Sequence, residues 1–360
     1  MTSTVPTWYG LDGSINQEIH MYTVLLAALV IQPTDLLGTM KVDVVSLVDT
    51  GQVVLGFEAY SSVRDGYRYL FSDTQNKRKF DASREYDIQL GGGCGKMGSL
   101  SGKGSPDRFA VYRGKVYLFA SDGCRSSFMA SPDIRIERDD PVPNATQEEA
   151  ARGRRIFDQM VKWMGGSVAL RNVRGYEEVV TGSYRQGENA LPMELRRVYM
   201  YPDQLAHYDR YGDDTVSTVA NENTGYFEMP SGRREPFFSA QAREMVRIRD
   251  HKLVPAAIKA LAKGTLFADR GKGVLDVHHG GTGVRLWTNS VTGEVLALES
   301  RSRGPSGDYG ALRLAFTKFQ TIQGVKVPVS WNASFNGTPA PSLSATDLRV
   351  SIEPAGTRRK

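Results

Sequence analysis

From residue 176 onward, apolar and polar residues alternate in short runs. A period of two puts one face of a strand in a core and the other in water. On that basis strands are predicted over 176–186, 195–201, 204–210, 216–220, 273–279, 283–289, 294–301, 310–317 and 325–335. Between the two groups, residues 239–263 read as helical, with Pro255 opening a second short helix at its first turn. Upstream the period changes. Ile156, Met160 and Trp163 or Met164 recur at helical spacing, as do Phe157 and Val161. Thr146-x-x-Glu149 is a capping box at the start of this helix, and Gly165-Gly166 supplies its stop. Helix, sheet, helices and more sheet predict an α+β domain with a largely antiparallel sheet.

The first part of the chain is organised by repetition. Residues 66–83 and 114–131 are one short segment written twice, at a constant offset of 48 from Gly66 to Gly114. Tyr69-Leu70-Phe71 meets Tyr117-Leu118-Phe119, Phe80 meets Phe128, and Ala82-Ser83 meets Ala130-Ser131. Each copy reads as a strand running into a helix, which marks a duplicated supersecondary unit. The expected organisation is a leader-like arm over 1–40, tandem units over 41–137, and a turn-rich linker over 138–146. An α+β domain over 147–354 and a basic tail over 355–360 follow.

Two family resemblances sit on these segments. Tyr-x-Phe, a polar turn, then a helix carrying Phe and ending near Ser-Pro-Asp resembles a YHS domain, a small α+β module related to metal-binding treble-clef units. Cys94-Gly95-Lys96-Met97 resembles its first sulfur-bearing turn with one residue inserted. Phe119-Ala120-Ser121-Asp122-Gly123-Cys124 resembles the second, with Ala120 in place of the middle cysteine. In the first copy Ser72 and Asn76 stand at the matching places.

The later domain resembles the periplasmic lipoprotein-sorting (LolA-like) fold. The resemblance rests on the helix ending Trp163-Met164-Gly165-Gly166, on Gly225-Tyr226, and on the order of Val291-Thr292-Gly293-Glu294, Tyr309 to Phe319 and Ile322-Gln323-Gly324-Val325. Together the resemblances imply tandem YHS-like units followed by a curved antiparallel β half-barrel plugged by helices. Such a half-barrel would hold an apolar ligand, with Tyr199, Trp287, Phe316 and Trp331 as candidate lining.

Composition narrows the function. With 360 residues, 40% hydrophobic and 24% charged, the chain is long enough for two or three packed domains. The net charge of +5 is dispersed, without a basic stripe interleaved with aromatics, so no nucleic-acid partner is expected. Residues 22–32 are apolar but too short to span a bilayer, and their length suits a signal-peptide core, with Met21 as an alternative start. An exported protein is therefore expected, without a transmembrane segment, and the lipoprotein-sorting resemblance implies the bacterial periplasm or another exported location.

The two cysteines allow a disulfide, a metal pair or separate thiols. If metal binds, Cys94 and Cys124 are ligands with Met97 as a third, a soft set that suits copper over zinc. The glycine-rich stretch 91–104 fails as a phosphate loop: neither Gly95-Lys96-Met97 nor Gly102-Lys103-Gly104 supplies the hydroxyl residue or the opening glycine. His278-His279 should point to opposite faces of a strand, His20, His207 and His251 stand alone, and adjacent acidic pairs such as Asp139-Asp140 diverge. No nucleophile–base pair is legible. The expectation is a non-enzymatic carrier of an apolar molecule or acyl chain, with a metal- or thiol-dependent sensing or docking module and a possible envelope partner. The alternative is a structural or interaction protein of the envelope with a degenerate metal site and no ligand.

Overall fold

The computed structural model describes residues 36, 38–91, 104–136, 138–186, 189–202, 204–222, 224–237, 239–304, 308–339 and 343–352. The apolar leader-like stretch lies outside them.

The first part contains β1 (Gly38–Met40), α1 (Val44–Thr50), β2 (Phe57–Arg64), β3 (Tyr67–Phe71), α2 (Thr74–Ala82) and β4 (Ile88–Gly91). It continues with β5 (Ser105–Tyr112), β6 (Lys115–Phe119) and α3 (Asp122–Ala130). These strands make two three-stranded sheets, β1-β3-β2 and β4-β6-β5. In each, a short strand runs parallel to the inner strand of an antiparallel hairpin. Both hairpins turn on two residues with positive φ, Asp65-Gly66 and Arg113-Gly114, the backbone a type I′ turn requires. Each hairpin strand then feeds a helix capped by a side-chain oxygen, Asp73 for α2 and Ser121 for α3. Phe80 packs at 4.6 Å from Tyr69 and 5.1 Å from Phe71, and Phe128 at 4.8 Å from Tyr117 and 5.2 Å from Phe119. The two aromatic cores are nearly superposable in their spacing.

The second part opens with α4 (Gln147–Trp163), where the capping box is formed in both directions: Glu149 accepts from the Thr146 N–H at 2.8 Å, and Thr146 accepts from the Glu149 N–H at 3.2 Å. Next come α5 (Ser167–Arg171), β7 (Val173–Gln186), β8 (Asn189–Met200), β9 (Gln204–Tyr211), β10 (Asp214–Ala220), β11 (Gly225–Glu228) and β12 (Arg234–Pro236). Helices α6 (Ser239–Asp250) and α7 (Leu253–Ala260) follow, and Pro255 lies in the first turn of α7 as expected. The chain closes with β13 (Leu266–Asp269), β14 (Val274–His279), β15 (Thr282–Thr288), β16 (Val295–Arg303), β17 (Tyr309–Ile322), β18 (Val325–Phe335), β19 (Thr338–Pro339) and β20 (Leu343–Ile352).

Among the described residues the other strands form one antiparallel sheet of 14, with β12 at one edge and β13 at the other, so it is not closed into a barrel. β20 joins its halves. Its first two residues pair with β18, and the rest pair with β7. Strands β9 and β14 stand eight places apart, about 38 Å in a flat sheet. Yet Leu205 of β9 and Leu275 of β14 belong to one buried core, together with residues of α4, α6 and α7. The sheet therefore curls around its helices. Fold class is α+β, as the alternation predicts.

Candidate functional site

Cys124 is the third residue of α3; its N–H donates to the Ser121 side chain at 3.1 Å, and the side chain is half-buried beside Tyr117 and Phe128. Cys94 and Met97 lie outside the described residues, as does the glycine-rich stretch around them. The first unit reveals what occupies the corresponding ground. Asp43, wholly buried, caps α1 and accepts from the Val45 and Ser46 N–H groups. Its second oxygen accepts from the Ser72 N–H at 2.8 Å, the Ser72 hydroxyl at 2.7 Å and the Asn76 amide at 2.8 Å. Asn76 also donates to Ser46 Oγ at 2.9 Å. Burial alone would raise the Asp43 carboxyl, but the Asn76 amide and the Ser72 and Ser46 donors hold it below its ordinary value. The residues standing in place of sulfur in this unit thus form a closed hydrogen-bond network around a carboxylate.

The four candidate cavity residues separate. Tyr199 is wholly buried in the core, stacked on Tyr176 at 5.9 Å with His207 edge-on at 5.8 Å. Trp331 is buried with Val180 and Leu314 and pairs across strands with Phe316. Trp287 alternates with core residue Leu286, so it faces away from the helices, and the Arg313 guanidinium lies 3.9 Å above its ring. Only Phe316 and Trp331 are brought together.

Phe316 belongs to a recess that alternation does not reveal. The β17–β18 ladder shifts register between Phe316 and Phe319. The bulge lets two rings three residues apart pack against the same core, which a regular strand forbids. Phe316 and Phe319 lie 5.5 Å apart, and Trp163, the last residue of α4, meets Phe319 edge-on at 4.9 Å. Lys326 Nζ sits 4.3 Å from the Trp163 ring, and Lys318 stands on the same rim. The recess encloses about 350 Å³. Trp163 reads in sequence as an ordinary core position of an amphipathic helix, and nothing marks the bulge in advance.

Three of the histidines make structural hydrogen bonds. His251 Nε2 meets the Asp140 carboxylate at 2.8 Å, His278 Nε2 meets the Asp140 carbonyl at 3.1 Å, and His279 Nδ1 meets Thr265 at 3.1 Å. Asp139 turns instead to Arg247 at 2.7 Å, so the adjacent acids do diverge. His279, Asp250, Lys259 and Thr282 border a void of only about 10 Å³, room for one water and not for a substrate. Among the described residues no three His, Cys, Asp or Glu side chains gather as a metal set. No helix among them is long and apolar enough to cross a membrane.

No family model and no curated protein matches the chain. Among solved structures it is similar to a DUF1329 family protein from Desulfovibrio piger, at 8% identity over 56% of this chain and 93% of that one, with a TM-score of 0.35. A putative outer membrane lipoprotein-sorting protein domain from Vibrio parahaemolyticus gives 12% identity, 58% and 95% coverage, and a TM-score of 0.33. A LolA superfamily protein from Nitrosomonas europaea gives 12%, 56% and 94%, and 0.32. Likenesses this slight carry no weight for function.

Proposed function

We propose that this protein is an exported, non-enzymatic carrier that binds one apolar chain with an anionic head. The observation that supports this is the recess of Trp163, Phe316 and Phe319. Its rings are half-buried and continuous with the main core, and its lining carries two lysines, Lys318 and Lys326, against one carboxylate, Glu294. An acyl tail laid on the rings would bury more of their surface, at about 25 cal/mol per Å² of apolar area, and its carboxylate or phosphate would meet Lys318 or Lys326.

In this reading the tandem units are a YHS-like docking or sensing module. Cys94 and Cys124 form a thiol pair there, or bind copper or zinc with Met97. Ser46 and Asn76, each 48 residues earlier, lie 2.9 Å apart in the first unit, which supports a close approach of their sulfur-bearing counterparts.

Titration of the whole protein with palmitate tests the carrier. Saturable one-to-one binding is expected, with Phe319→Ala weakening it about tenfold, about 1.4 kcal/mol, and Trp287→Ala leaving it unchanged. Native mass spectrometry of protein from its own host should then show a bound apolar molecule. The same spectrum should show either a mass two hydrogens lower, for a disulfide, or one bound soft metal ion. No palmitate binding and no co-purified lipid would leave the structural, ligand-free alternative.

A further inference from the structure

We infer that the cleft between the tandem units and the second part binds a small polyanion through oxyanion groups. The cleft encloses about 800 Å³, within the range of small-molecule sites. Arg84 and Lys115 enter it from the tandem units, Arg138 from the linker, and Arg243 and Arg247 from α6. These residues are scattered over more than 160 positions of sequence, from Arg84 to Arg247, and only the docking of the two parts brings them to one wall.

The electrostatics favour an anion. Seven lining residues are Arg or Lys and five are Asp or Glu. Within the lining Arg247 pairs with Asp139 and Lys259 with Asp250, and Arg113 turns to Asp133 outside it, each at 2.7 Å; against these, cations outside the lining also meet Glu244 (Arg303, 2.7 Å) and Asp250 (Arg249, 2.7 Å). Two of the lining cations share a carboxylate behind them: wholly buried Asp87, outside the lining, is approached by Arg243 at 3.4 Å and Arg84 at 3.7 Å, and also by Arg64 at 2.7 Å. Three guanidiniums on one carboxylate leave an excess of positive charge beside the cleft, which Arg84 and Arg243 line. Arg243 and Arg84 remain 41% and 54% exposed, so their forks reach solvent. Guanidinium forks pair bidentately with carboxylate and phosphate alike, and a concave wall of one sign concentrates counter-ions.

This cleft is separate from the aromatic recess, so failure at either leaves the other standing. The test is calorimetric titration of the full chain with inorganic pyrophosphate and, separately, citrate, which distinguish phosphate from carboxylate chemistry. At least one should bind saturably at one-to-one stoichiometry, more weakly as salt rises. Replacing Arg138 and Arg243 together by Ala should lower its affinity at least tenfold. Arg155→Ala, an exposed change on α4 outside the cleft, should not. If the double variant melts early, the single Arg138→Ala change on the exposed linker should still cost at least threefold. Absence of saturable binding by both anions, or an equal loss in Arg155→Ala, would overturn the assignment.

Discussion

His207 projects from β9 into the core with its Nε2 buried and without a hydrogen-bond partner, as are the hydroxyls of neighbouring Tyr199 and Tyr201. Burial first, and then the charges of Arg197 and Lys252, push its pKa well below the ordinary value. The Tyr199 ring packs edge-on against it at 5.8 Å. Folded His207 thus stays neutral while the unfolded chain takes up a proton below about pH 6.5. Because the unfolded state binds more protons in that window, stability falls as pH drops below about 6.5. Burial pushes His279 in the same direction, so some slope will persist without His207. The expected result is that melting temperature drops less between pH 7.5 and pH 5.0 in His207→Phe than in the wild type. An unchanged slope would mean that His207 does not titrate as its surroundings dictate. None of this was readable in sequence, where His207 is one solitary histidine; its behaviour comes from the face on which β9 places it.

Elements were legible where they are long and regular. Alternation located β7, β9, β10, β14 to β16 and β18 within three residues, but missed the first six residues of β8 and the last five of β17; helical spacing with a cap and two glycines located α4. The elements it missed have physical reasons in common. β11, β12 and β13 are four residues or fewer, too short for a period to register. β2, β5 and the ten-residue β20, none of them predicted, are each broken by a register shift, after Phe57, after Ser105 and after Ala345, that scrambles alternation. α1 is written Val-Val-Ser-Leu-Val-Asp-Thr, a β-branched run, and turns helical under the cap of Asp43. The Gly165-Gly166 stop was legible as a cap, but its second task was not. Gly165 has φ of +120°, and a Cβ there would sit 2.0 Å from the Gly324 carbonyl oxygen in the β17–β18 turn. Beside it the Lys326 N–H donates to the Met164 carbonyl at 2.9 Å, tying α4 to the strand that carries one rim lysine. Gly165→Ala should therefore cost about 2–4 kcal/mol through backbone strain and displacement of that turn, measured by denaturant unfolding, and should loosen the recess. A loss under about 0.5 kcal/mol would show that α4 and the turn are not locked together.

At the scale of the molecule, the linker is the decisive segment, and its polar composition hides its role. Residues expected to form a mere tether are pinned at several points. The Asp140 N–H donates to the Gly281 carbonyl at 2.9 Å, and its carboxylate accepts from the Gly283 N–H at 2.8 Å while meeting His251. Just before the linker, at the end of the tandem units, Arg301 holds the Ile136 carbonyl at 2.9 Å, and Arg135 pairs with Asp308 at 3.0 Å. Burial would raise the Asp140 carboxyl, but His251, the Gly283 N–H and Arg247 hold it below its ordinary value. Its contribution is therefore present above about pH 4 and is lost as pH falls through the lower, folded-state pKa. Asp140→Ala leaves the buried His251 ring and the Gly283 N–H without their acceptor, at a cost of about 2–4 kcal/mol. The expected outcome is a lower melting temperature and new protease cleavage within 138–146. Freeing this segment also releases Arg138 and Asp139 from the wall of the cationic cleft, so Asp140→Ala should weaken oxyanion binding without removing a cation. Were the variant to melt lower yet bind pyrophosphate or citrate as the wild type does, the cleft would be formed by the packed domains alone, with the linker as a passive strap.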